Sequence, residues 1–150
     1  MRVADLDRDM SHVVPTGVSR DSEFLFARMT RLTLGATLPG PGRRILDVAS
    51  GFGQDAVALA ECGASVVGAE PSGRMSAIAC DRLAKIGGGR PRWVRSWSDA
   101  LPFASGSFQA VLCKGALDHF DCPEDAIAEM ARVTEPGRSR PSGVRRTPVR

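Results

Sequence analysis

The segment ILDVASGFG (45–53) constrains this chain more than any other. Ile45, Leu46 and Val48 form an apolar run of strand-favouring residues that meets a glycine-rich turn without a spacer. An Ala- and Leu-rich stretch (54–62) follows, and then a second apolar run, VVGAE, ends on Glu70. The order is strand, turn, helix, strand, closing on a carboxylate, and this arrangement can hold an adenosine. Gly51 and Gly53 supply unusual dihedrals where a strand must become a helix while ligand atoms pass close to the backbone. Glu70, seventeen residues after Gly53, can accept hydrogen bonds from two ribose hydroxyls. Gly51-x-Gly53-x-x-Ala56 also fits the dinucleotide fingerprint, and by itself it fits a tight turn with no ligand.

Asp47 narrows the choice. A carboxylate inside an apolar central strand is costly to bury unless something satisfies it. Beside an anionic pyrophosphate it would be repulsive, whereas a cationic ligand reverses that argument. S-adenosylmethionine carries a sulfonium and an ammonium and suits a carboxylate at this place. A satisfied structural acid is the other reading of Asp47.

The rest of the chain alternates. Residues 21–36 predict a helix capped by Asp21 or Ser22, with Leu25, Met29 and Leu32 on one core-facing stripe. Pro39-Gly40-Pro41-Gly42 ends it. Residues 44–49 and 65–69 predict buried strands, and 54–62 a helix stopped at Gly63. Ser72 caps a helix running to Ile86, with Met75, Ile78 or Ala79, Leu83 and Ile86 inward, ended by Gly87-Gly88-Gly89. Strands are expected at 92–97 and 108–113, joined by a loop containing LPF. Pro123 opens a last helix, with Glu124 and Asp125 at its positive end and Ile127, Met130 and Val133 as its apolar stripe. Such alternation implies an α/β fold, a Rossmann-like three-layer sandwich around a mostly parallel sheet.

Composition excludes several functions. A length of 150 residues suits one domain. No Tyr and six Phe give little material for a base-stacking surface. No apolar run reaches the length of a membrane span, and the start MRVADLDRDMSH lacks a signal core, which predicts a cytoplasmic protein. Cys62, Cys80, Cys113 and Cys122 form no CxxC pair and only two His are present, so no metal site is expected and the thiols are read as reduced and mostly buried. The net charge is +3, yet residues 138–150 hold five Arg and no acid, so removing those five charges leaves −2 for the rest. The expected organisation is a flexible segment (1–19), a ligand-binding domain (20–137) and a basic disordered tail (138–150).

ILDVASGFG, VVGAEPS, SDALPFASGSF and the helix ending EMARVTEPG together resemble, in order and spacing, the class I S-adenosylmethionine-dependent methyltransferases. The nearest likeness is to the small-molecule branch of ubiquinone and menaquinone biosynthesis, and it covers about residues 43–137. The family's acid-x-Gly-x-Gly-x-Gly turn falls on Asp47, Ala49, Gly51 and Gly53, so Ala49 stands where the first glycine would be. The resemblance implies S-adenosylmethionine as cofactor. It implies a binding set of Asp47, Ala49, Ser50, Gly51, Gly53, Glu70, Pro71, Lys114 and the adenine segment Trp97, Ser98 and Asp99. Trp97 departs from the family, which has an acid there, and Gln109 departs where an Asp is common.

Methyl transfer from a sulfonium is an in-line displacement, so a protein supplies mainly proximity and alignment. Asp118 and His119 follow the fourth strand at the carboxyl edge of the sheet, where ligands bind in such folds, and are the candidate bases for an acceptor that must lose a proton. Packing or capping ahead of Pro123 is the bland role for His119. His12 has no evident mechanism. Members of the family continue with three more strands, whereas this chain runs into RSRPSGVRRTPVR. The expectation is a shortened domain without the C-terminal strands, its fourth strand an open edge that a second copy of the chain can complete. The expected partner is a small-molecule methyl acceptor, with no specific nucleic-acid target: the Arg-rich tail gives salt-dependent, non-specific contacts at most. The competing functions are a dinucleotide-dependent oxidoreductase and a non-catalytic S-adenosylmethionine-binding remnant.

Overall fold

In the computed structural model, residues 19–83 and 91–137 are described. His12, Ile86, Gly87-Gly88-Gly89 and the Arg-rich tail lie outside them. The chain runs α1 (Arg20–Ala36), β1 (Arg44–Val48), α2 (Gln54–Glu61), β2 (Ser65–Ala69), α3 (Gly73–Leu83), β3 (Arg92–Val94), β4 (Ala110–Cys113) and α4 (Pro123–Val133), with a 3₁₀ turn at Leu117–His119 before α4.

The four strands form one sheet of order β3-β2-β1-β4, and every pairing is parallel. Asp47 stands opposite Gly68 on one side and Leu112 on the other. The chain steps outward from β1 to β2 and β3, then returns to the far side of β1 for β4. The order therefore reverses at β1, which places a crevice at the carboxyl ends of β1 and β4.

Two cores lie on opposite faces of the sheet. Ile45, Val66 and Leu112 pack against Ala56, Leu59 and Ala60 of α2, with Leu34 of α1 and Trp93 alongside. Leu46, Val48, Val67 and Ala69 pack against Val133 and Met130 of α4, with Leu101, Phe103 and Phe108. Central parallel strands are buried on both faces, which is why they read as unbroken apolar runs.

The LPF loop belongs to this second core. Leu101 is buried, and Phe103 meets Phe108 edge-on with ring centroids 5.0 Å apart. Arg132 of α4 staples the loop from outside, donating to the carbonyls of Phe103 (2.7 Å) and Leu101 (3.0 Å). Glu129 accepts the Leu101 N–H at 3.0 Å and pairs with Arg132. That hydrogen bond to Arg132 holds the Glu129 carboxyl below its usual range.

Several expectations are corrected. The stripe Leu25, Met29 and Leu32 is not core: these residues are 57%, 54% and 61% exposed, and α1 turns Leu34 inward instead. In α4, Val133 is buried but Ile127 is exposed, and Ala126 takes the inner position. β3 stops at Val94, three residues before Trp97, and β4 begins at Ala110. Phe108 makes only an isolated parallel bridge to Thr134. Gln109 uses its amide locally: its Oε1 accepts the Arg44 N–H at 2.7 Å and its Nε2 donates to Glu135. All four cysteines are free, but Cys62, Cys80 and Cys122 are exposed rather than buried. The α1 and α4 stripes share one reason: a helical period does not say which positions find a facing partner.

Replacing Arg132 by Ala leaves two loop carbonyls without this donor. The expected outcome is a lower urea denaturation midpoint.

Candidate active site

The turn from β1 into α2 alternates left-handed and ordinary backbone. Ala49, Gly51 and Gly53 have φ of 55°, 51° and 73°. This is the physical basis of glycine at every second position, and Ala49 occupies it at a cost of about 1–2 kcal/mol for an L-residue. Space adds a second requirement at Gly53. A Cβ there would lie 2.5 Å from Cζ2 of Trp93 and 3.0 Å from Cβ of Ala79. Gly68, across the sheet from Asp47, is similarly confined: its Cβ would lie 2.8 Å from Trp93 Nε1 and 2.8 Å from Ser50 Oγ. The Trp93 indole thus fills the space between the turn and β2. Sequence reasoning singled out Trp97 and passed over Trp93. The useful signal was a tryptophan in a strand next to one carrying a glycine.

Two buried carboxylates hold the turn. Glu70, 5% exposed, accepts the Gly51 N–H on Oε2 at 2.8 Å and the Ser72 N–H on Oε1 at 2.9 Å. Burial raises its pKa, against those two hydrogen bonds. Asp47 is 3% exposed and accepts the N–H of Ala56, in the first turn of α2. The N-cap residue of α2 is Gly53, which has no side chain to cap with. Asp47 caps the helix from the neighbouring strand instead, through a carboxyl oxygen that accepts this N–H. Its Oδ2 has no hydrogen-bond partner among the described residues, and neither does Ser50 Oγ. Burial first, then the nearby charge of Asp55, pushes the Asp47 carboxyl up to about 8.

Lys114 follows β4, on the Asp47 side of the sheet, but its ammonium is committed elsewhere. It donates to Asp55 at 2.7 Å and to Thr30 Oγ1 of α1 at 3.1 Å. Asp55 and Thr30 were not anticipated as part of this cluster. Cys113, just before Lys114, is pushed up to about 11, mainly by burial and further by Asp47.

The other candidates ring the same edge. Pro71 is held by its carbonyl, which accepts Arg95 Nε at 2.9 Å. Trp97 and Ser98 are half-buried and Asp99 exposed, in the turn beyond β3. Asp118 and His119 sit on the 3₁₀ turn, their side chains 78% and 49% exposed, with Oδ2 and Nε2 3.9 Å apart. The described residues hold no cluster of three or more His, Cys, Asp or Glu able to bind a metal ion, and none of their helices is long and apolar enough to cross a membrane.

Residues 45–137 match the methyltransferase domain family. The chain belongs to that family. It is 37% identical over 110 residues to a demethylmenaquinone methyltransferase of Renibacterium salmoninarum, covering 73% of this chain and 44% of that protein. It is 41% identical over 101 residues to an uncharacterized methyltransferase of a Mycobacterium species, covering 67% and 38%. The chain therefore spans less than half the length of these relatives. Among solved structures, the SpnF cyclase superposes with a TM-score of 0.69 at 31% identity, over 73% of this chain and 42% of that one. The magnesium protoporphyrin IX methyltransferase of Synechocystis PCC 6803, solved with bound S-adenosylmethionine, gives 0.66 at 19% identity, over 81% and 62%. The Rossmann-like fold expected from the alternating pattern is thus the fold of known methyltransferases.

Two tests follow from this geometry. Ala49→Gly relieves the left-handed strain and should raise stability by about 1 kcal/mol. Gly53→Ala adds strain and a clash and should lower it by about 2–4 kcal/mol, with part recovered when Trp93→Leu is added. Chemical denaturation of the four proteins measures both. The second concerns pH. The folded Asp47 holds its proton up to about 8, whereas the unfolded carboxyl loses it near 3.8. As pH rises through that window the unfolded state sheds a proton that the folded state keeps, so stability falls. Scanning calorimetry from pH 5 to 8 should show a declining Tm, and Asp47→Asn should flatten the slope.

Proposed function

We propose that this domain binds S-adenosylmethionine at the carboxyl edge of β1, β2 and β4 and transfers its methyl group to a small quinone-like acceptor. The observation that carries this reading is Asp47: a buried carboxylate with an unpartnered oxygen, beside a glycine turn, in a chain of the methyltransferase domain family. An anionic pyrophosphate would worsen that position, while a ligand with a sulfonium and an ammonium improves it. Asp47, Ala49, Ser50, Gly51 and Gly53 would face the amino-acid part of the cofactor. Glu70 and Pro71 would face the ribose, since each Glu70 oxygen retains a lone pair after its backbone bond. Trp97, Ser98 and Asp99 would meet the adenine. Lys114 enters this reading as the counter-charge of Asp55.

Bound, the cofactor supplies a methyl group already activated on sulfur. The domain's residues have to orient it and keep water away. Asp118 and His119 are proposed as the groups that accept a proton from the acceptor, on a turn at the same edge as the cofactor site. The quinone-like acceptor rests on the relatives named demethylmenaquinone methyltransferase. Four free thiols, three of them exposed, support a reducing, cytoplasmic location.

Isothermal titration should show S-adenosylmethionine binding to the folded chain and no binding of NADH. Glu70→Ala should weaken binding at least about tenfold, because it removes an acceptor and loosens the turn. The absence of any heat with S-adenosylmethionine would sink the reading. Turnover is read separately, by methyl transfer to a demethylmenaquinone-type acceptor, and there His119→Ala should lower kcat while leaving cofactor affinity unchanged.

A further inference from the structure

The charges around Asp47 do not balance. On α2, Asp55 faces it, and the Ala56 N–H donates to it. Past β4, Lys114 is the cation of the group, and both Asp55 oxygens lie 2.7 Å from its Nζ. From α1, Thr30 offers only a hydroxyl, and that accepts from Lys114. Past β2, Glu70 adds a second acid, already holding two backbone N–H groups. On β4, Cys113 is a neutral thiol held protonated by burial. With Asp55 and Lys114 cancelling each other, an ionised Asp47 would be a buried anion with one oxygen unpartnered. A proton on that oxygen neutralises it; so does a ligand's cation.

We infer that a cationic ligand enters this site in exchange for a proton, so that Asp47 is neutral in the free protein and ionised in the complex. The inference rests on the proposed S-adenosylmethionine site and goes beyond it. The proton on Asp47 passes to solvent and the positive charge of the ligand takes its place, with no bond of the ligand made or broken. The exchange makes Asp47 a specificity-determining residue. A cation repays the loss of the proton by pairing with the carboxylate, whereas a neutral adenosyl thioether leaves the acid protonated and gains nothing there. The rise of the Asp47 carboxyl to about 8 agrees with a neutral acid at pH 7.

Calorimetric titration at pH 7 in phosphate and in Tris, whose ionisation enthalpies differ, counts the protons released. S-adenosylmethionine should release about one proton per site, and its Kd should tighten nearly tenfold from pH 6 to pH 7, where the ligand's α-amino group is still charged. The neutral 5′-methylthioadenosine should bind without release and without pH dependence. Asp47→Asn should abolish both the release and the pH dependence for S-adenosylmethionine. If the ligand binds with a heat independent of buffer and an affinity independent of pH, the exchange is wrong while the cofactor site stands. If neither ligand binds, the site itself is wrong. Should Asp47→Asn fail to fold, the wild-type titrations still decide.

Discussion

The backbone between β1 and α2 is the constraint on which the rest of the site depends. Three residues at alternate positions, Ala49, Gly51 and Gly53, adopt left-handed dihedrals, and the chain turns there from the central strand into a helix. Backbone carbonyls take the Ser50 and Gly53 N–H groups, while the Gly51 N–H needs an acceptor from outside the turn. Glu70 supplies that acceptor from the end of β2 and ties Gly51 to Ser72. The Trp93 indole closes the space behind Gly53. The turn is thus held by β2 and β3 in addition to its own Gly53 N–H to Ser50 carbonyl bond of 2.8 Å, and this explains why the sheet order matters to the site.

Burying carboxylates for this purpose has an electrostatic consequence. Asp47 caps α2 from a neighbouring strand, because Gly53 cannot cap it. It is left deep in the sheet with an oxygen that has no hydrogen-bond partner among the described residues. Burial makes its ionised form costly, so the folded domain keeps this carboxyl protonated to about pH 8. Groups perturbed in this way are concentrated at ligand-binding sites. The SpnF cyclase shares the fold, so the fold alone names no reaction, and only the site residues and the family point to methyl transfer.

Much of this was legible in the sequence. Strands β1 and β2 were marked by unbroken apolar runs, since a central parallel strand is buried on both faces. Asp47, Gly51, Gly53 and Glu70 stood out as an acid-and-glycine pattern on a strand-turn-helix-strand, and the structure brings them to one turn. Less legible were features set by a distant partner. The stripe on α1 has a helical period, yet period alone does not say whether a facing surface exists, and Leu25, Met29 and Leu32 are exposed. Trp97 and Trp93 are four residues apart in one sequence segment, and only the end of β3 at Val94 places one under the turn and the other beyond it.

The sequence by itself determined the alternating α/β order, the parallel sheet and the acid-and-glycine turn, because these are written in local periods and in residues with special backbone freedom. Tertiary structure decided what each charged group does. Asp47 and Ala56 are nine positions apart, and Lys114 is 59 positions from Asp55 and 84 from Thr30. No local pattern encodes such distances. The return of the chain to the far side of β1 brings them together, around a buried carboxyl whose second oxygen has no hydrogen-bond partner among the described residues.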